Sequence, residues 1–70
     1  MTKVGPYRLV EFEGLWFLER PDGYTVSTIL NLDPEAGLWR ARTPEGSAAT
    51  FAVPAGVPDP PTWIARRLVT

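Results

Sequence analysis

The sequence contains no cysteine and no histidine, and only one lysine and one methionine. Without cysteine there are no disulfides to staple the fold and no thiolate for metal or nucleophilic chemistry. Without histidine the commonest transition-metal ligand and the usual neutral-pH proton shuttle are missing, and a hydroxyl nucleophile lacks its usual base. Serine occurs only at Ser27 and Ser47. The six glycines are isolated in turn-like contexts, so no glycine-rich phosphate loop is present. Long apolar runs are missing too. The longest, Leu15 to Leu18, falls far short of the roughly 20 residues needed to span a bilayer. The opening Met1-Thr2-Lys3-Val4-Gly5-Pro6 lacks the apolar segment of a signal peptide. These absences give the expectation of a cytoplasmic protein that is not an enzyme, holds no cofactor or metal, and has no membrane partner.

Seventy residues make one small domain, 1–70. A chain of this size buries only about 60% of the surface its unfolded form exposes. With disulfides and metals excluded, stability has to come from packing and self-association. The three tryptophans and three phenylalanines carry that load, since a large aromatic ring buries roughly 150–250 Å². The formal net charge is −1, but it is unevenly spread. Residues 1–39 hold three cations against six anions, and residues 40–70 hold four against two. An anionic partner would be met by the second half. The bias to arginine over lysine, with frequent alanine, glycine and proline, points to a GC-rich genome such as that of an actinobacterium or its phage.

The clearest pattern is an internal repeat. Gly14-Leu15-Trp16-Phe17-Leu18-Glu19-Arg20-Pro21-Asp22-Gly23 aligns without gaps on Gly37-Leu38-Trp39-Arg40-Ala41-Arg42-Thr43-Pro44-Glu45-Gly46. Each copy reads as a short aromatic strand followed by a Pro-acid-Gly turn. Proline presets φ at the first central position, and glycine accepts the left-handed conformation that closes a three-residue hairpin loop. The repeat units run about 14–34 and 37–60. Tyr24 to Leu30 returns after the first turn, and the alanine-rich Ala48 to Val53 after the second. An earlier strand, Tyr7 to Phe12, pairs with Leu15–Arg20 through a tight turn at Glu13-Gly14. Asp33-Pro34-Glu35 caps at most one helical turn. The four prolines between residues 54 and 61 form an extended arm, and about 61–69 forms a short helix with Ile64 and Leu68 on one side and Trp63 and Arg67 on another. The fold class is mainly β: a small antiparallel meander of four or five strands built from a duplicated hairpin, as an open sheet or a small SH3-like barrel, with a short C-terminal helix.

Strand alternation sorts the faces. Trp39 and Ala41 share one side, and Leu38, Arg40 and Arg42 the other. Two arginines are poor core residues, so Trp39 points inward. By the repeat so do Trp16 and Leu18. Tyr24, Val26, Thr28 and Leu30 form the natural third inward row, with Phe51 and Val53 as the fourth. Leu15, Phe17, Ile29 and Leu38 then lie outward beside Arg40 and Arg42. This is either an interaction patch or, in a closed barrel, part of the core.

Few residues suggest chemistry. Glu11 and Glu13 are placed on one strand face with Glu19 on the next strand, which reads as a charged edge rather than an acid–base pair. Asp33 and Glu35 are too few oxygens for calcium. The functional expectation is therefore a non-catalytic protein-binding module. A regulator or inhibitor of a host protein, of the kind carried by phages and mobile elements, fits such a chain. Its partner is another protein, met by Leu15, Phe17, Leu38, Arg40 and Arg42. One alternative is nucleic-acid binding through the arginine-rich second half, with Trp63, Arg66 and Arg67 as anionic-partner contacts. Another is a self-associating structural subunit, that is, a homo-oligomer.

Overall fold

The computed structural model describes residues 2–69. Six strands lie in chain order in one open antiparallel sheet: β1 (Thr2–Val4), β2 (Tyr7–Phe12), β3 (Leu15–Glu19), β4 (Thr25–Asp33), β5 (Leu38–Arg42) and β6 (Ala48–Ala52). One helix follows, α1 (Pro60–Leu68). This is the β meander with a C-terminal helix, in its open form. The strand not anticipated is β1, only three residues long, which turns into β2 through Gly5-Pro6. At the next turn Glu13 and Gly14 both take positive φ, 52° and 80°. That is the type I′ connection, whose twist suits a two-residue hairpin.

The two Pro-acid-Gly turns fold alike. In the first, Gly23 N–H donates to the Arg20 carbonyl (2.9 Å) and Arg20 N–H to that of Tyr24 (2.8 Å). In the second, Gly46 N–H donates to Thr43 (2.9 Å) and Thr43 N–H to Ser47 (2.7 Å). Gly23 and Gly46 sit at φ of 90° and 94°, where a Cβ is strained.

Beyond the turns the copies diverge. In the second, the return is regular, with Arg42 opposite Ala48, Ala41 opposite Ala49 and Trp39 opposite Phe51. In the first, Glu19 faces Thr25 but Leu18 faces Ser27, which leaves Val26 as an extra residue. One inserted residue reverses the side on which the side chains after it fall, here from Ser27 to Asn31, until a second register shift before Asp33 restores the phase. The inward row expected from alternation is corrected accordingly. Ser27 and Ile29 enter the core, 2% and 0% exposed. Thr28 and Leu30 lie on the other side, and Tyr24 is exposed in the turn. Val26 still packs at the core margin, and Phe51 and Val53 pack against the core as expected.

The core therefore collects Val4, Leu9, Leu18, Ile29, Trp39 and Ala41 on one side of the sheet, with Ile64 and Ala65 of the helix laid over them. Trp16 and Trp39, at equivalent repeat positions on the strands flanking β4, meet edge to face with ring centroids 5.3 Å apart. Ring quadrupoles favour that geometry. The β4–β5 ladder begins at Ile29 and Ala41, and just beyond it the buried Ser27 hydroxyl donates to the Arg42 carbonyl. A buried polar group is thereby satisfied.

The proline arm is bent rather than extended throughout. Val57 N–H donates to the Pro54 carbonyl (3.4 Å), with Gly56 at positive φ. Pro60 and Pro61 then open α1, where first-turn N–H groups have no intrahelical partner to lose. Trp63 N–H donates to the Asp59 carbonyl (3.1 Å), and Thr62 Oγ1 donates to the Asp59 carboxylate (2.8 Å). The helix leans on β1 and buries Ile64 completely, a contribution of about 1.5–3 kcal/mol. Nine residues would not hold helical form alone, so docking on the sheet makes the helix.

Candidate binding face

The helix covers one side of the sheet, and the strand register defines the other. Phe12, Leu15, Leu30, Arg40 and Thr50 form one cross-strand row, and Val10, Phe17 and Thr28 the next. Leu38 lies opposite Ala52, and Arg42 opposite Ala48. All five residues named from the sequence, Leu15, Phe17, Leu38, Arg40 and Arg42, thus share this helix-free side. Ile29, also placed there by alternation, does not belong to it, because the Val26 bulge turns it inward. Sequence reasoning missed Phe12, Val10 and Leu30. Phe12 was legible in principle, since a two-residue turn at Glu13-Gly14 sets it directly opposite Leu15.

Phe12 is 63% exposed. Val10, Leu15, Phe17, Leu30 and Leu38 are half-buried, and Arg40 and Arg42 are exposed. Thr28, Leu30, Arg40, Arg42 and Ala48 border a shallow hollow of about 310 Å³. The strands place Lys3, Arg8, Arg40 and Arg42 on this side against Glu19 and Asp33. Arg8 pairs with Glu19 (3.2 Å), although its Nε is buried without a hydrogen-bond partner. Arg42 Nη1 donates to the Gly46 carbonyl (2.9 Å). Asp33 is engaged by the following turn, accepting from the N–H groups of Glu35 and Ala36. Arg40 has no hydrogen-bond or ion-pair partner among the described residues. A chain of net charge −1 therefore presents a cationic, apolar face.

The other candidates are dispersed. Arg66 and Arg67 sit on α1, across the sheet from Arg40 and Arg42, so the four arginines do not form one surface. Arg67 stacks 3.4 Å from the Trp63 ring centroid, as the i, i+4 spacing predicts. A hollow of about 420 Å³ beside this pair also contains the carboxylate-bearing Asp59. Glu11 and Glu13, expected on one strand face with Glu19 on the next strand, are separated. Glu11 faces Trp16 on the helix side, Glu13 occupies the turn, and Glu19 is on the open side. Among the described residues no group of three or more acidic, histidine or cysteine side chains is placed to hold a metal ion.

The first Pro-acid-Gly turn shifts the titration of two of its own groups. The Asp22 carboxyl is held below the usual carboxylate range, first by the Tyr24 N–H (3.0 Å) and then by the Arg20 guanidinium (2.5 Å). The same hydrogen bond raises Arg20, which also lies over the Tyr24 ring at 5.1 Å. These groups complete one another and look like a stabilised turn.

Among the described residues no helix is long and apolar enough to cross a membrane. The chain matches no protein family, no curated protein and no solved structure.

Proposed function

We propose that this protein is a non-catalytic binding module that docks a partner protein on the helix-free side of its sheet. The observation behind this reading is that both sides of the sheet are apolar but only one is covered. Phe12, Leu15, Phe17, Leu30 and Leu38 remain on the uncovered side, edged by Lys3, Arg40 and Arg42. Aromatic rings beside arginines are the usual anchors of protein interfaces. The charge selects the occupant: a surface with apolar side chains inside a rim of carboxylates, which steers encounter and fixes orientation. A small regulator or inhibitor with one working surface fits this description.

The test compares capture of partner from the native host by three proteins: the wild type, Phe17→Ala/Arg40→Ala, and Arg66→Ala/Arg67→Ala as a control on the helix side. The reading requires capture to be lost only in the first variant, with unfolding free energy changed by no more than about 1 kcal/mol, as for surface positions. Undiminished capture by Phe17→Ala/Arg40→Ala, or a collapse of its fold, refutes it.

A further inference from the structure

The two edges of the sheet are unlike. β1 is three residues long, carries Lys3 and is leaned on by α1. Short length, charge and a covering element are the ordinary protections of an edge. β6 has none of them in its sequence: Ala48-Ala49-Thr50-Phe51-Ala52 is uncharged, lacks proline and glycine, and pairs with β5 without a bulge. Its inner ladder shows which backbone groups are spare. Thr43 N–H donates to the Ser47 carbonyl and Val53 N–H to that of Gly37. Alternation in an antiparallel pair therefore turns residues 47, 49, 51 and 53 toward β5, and aims the N–H and C=O groups of Ala48, Thr50 and Ala52 outward. All three outward residues are exposed.

We propose that this edge pairs with the same edge of a second copy, β6 antiparallel to β6 about a two-fold axis at Thr50, joining two six-stranded sheets into one. The strand is complementary to itself in this register. Thr50 meets Thr50, a favourable cross-strand pair, and Ala48 meets Ala52. The Phe51 ring of each copy faces Ala49 of the other, large against small, on the core side. The outward groups exchange about six hydrogen bonds. No charge opposes the contact. The closest cations on the strands are the two Arg40 side chains, each one strand behind Thr50, which puts them about 14 Å apart at ordinary strand spacing, beyond the screening length. A two-fold contact of this kind closes on itself and leaves Lys3-bearing β1 as the outer edge of the joined sheet. The inference does not rest on the docking face described above.

Sedimentation velocity on the full chain from about 5 µM to about 500 µM tests it, because a short edge contact gives a weak, concentration-dependent dimer. Mass rises reversibly from one chain to two. Amide exchange at Ala48, Thr50 and Ala52 slows along the same concentration series, while Lys3 in β1 does not change. Thr50→Pro removes an outward N–H that the fold does not use, and Thr50→Lys sets two ammonium groups face to face. Both stay single at every concentration, and circular dichroism of Thr50→Lys reports an intact fold if the proline variant misfolds. Phe17→Ala/Arg40→Ala dimerises like the wild type, which separates this inference from the docking face. A wild type that remains one chain throughout, as it would if a foreign strand were the natural occupant, overturns the proposal. So does a Thr50→Lys variant that dimerises unchanged.

Discussion

Ile29 and Leu30 are neighbours of similar size whose truncation should have very different effects. Ile29 is 0% exposed between Trp16 and Ala41, whereas Leu30 is half-buried between Leu15 and Arg40 on the open side. Ile29→Ala removes three buried carbons, about 2.4 kcal/mol of transfer free energy. A void on the order of 50–80 Å³ adds about 1–2 kcal/mol if the sheet cannot collapse around it. The expected loss is roughly 3–4 kcal/mol, a large part of the roughly 4–10 kcal/mol available to a chain of this length. Leu30→Ala leaves no enclosed void and removes carbons already in contact with water, so about 1 kcal/mol is expected. In urea, with a slope near 1 kcal/mol per molar for so small a protein, the midpoints fall by about 3 M and about 1 M. Tryptophan fluorescence follows the transition, because Trp16 and Trp39 both belong to the packed side. Equal losses, or a greater loss for Leu30→Ala, would mean that β4 runs in the opposite phase, and the assignment of both faces would fail with it.

Two further substitutions probe local geometry. Gly37 has φ of 67°, and a Cβ there would lie 3.0 Å from the Val53 carbonyl oxygen, whereas Gly23 has positive φ but open space. Gly37→Ala is expected to cost about 1 kcal/mol more than Gly23→Ala, which carries only the roughly 1–2 kcal/mol of a left-handed alanine, as read from their urea midpoints. Because the folded-state pKa of Asp22 lies below its unfolded value, the unfolded chain takes up the proton first on acidification. Its stabilisation is present above the usual carboxylate range and is lost as pH falls through the lowered pKa. Midpoints from about pH 5 to about pH 2 should fall less steeply for Asp22→Asn than for the wild type.

What could be read in advance follows how far along the chain the deciding interactions reach. The Pro-acid-Gly turns, the Glu13-Gly14 turn and the start of α1 are set by residues within a few positions of each other, and the structure has all of them. The inward indoles followed from one physical exclusion, that Arg40 and Arg42 cannot both be buried unpaired, and the repeat carried this to Trp16. The phase of β4 was not legible, because Thr25 to Leu30 alternates cleanly in either phase. The choice is made by distant partners: Ile29 fits between Trp16 and Ala41, and Ser27 satisfies Arg42. β1 escaped notice because three residues give too little pattern. For the candidate site, each position follows from its parity within its strand, so Leu15, Phe17, Leu38, Arg40 and Arg42 were found together. Ile29 was misplaced by the same parity argument once an inserted residue broke it.

A chain that says nearly the same thing twice risks ambiguity while it folds. Either outgoing ribbon can capture either returning one, and a swapped product would retain many of the same apolar contacts. The surplus Val26 removes that degeneracy. Laid against β3 without the surplus, β4 would send Ile29 to the wrong side and could no longer place it against Ala41. β6 carries no surplus and fits β5 without one. The mismatch in length gives each return ribbon its own mate, so the duplicated hairpins stay distinguishable and the sheet has one consistent way to assemble.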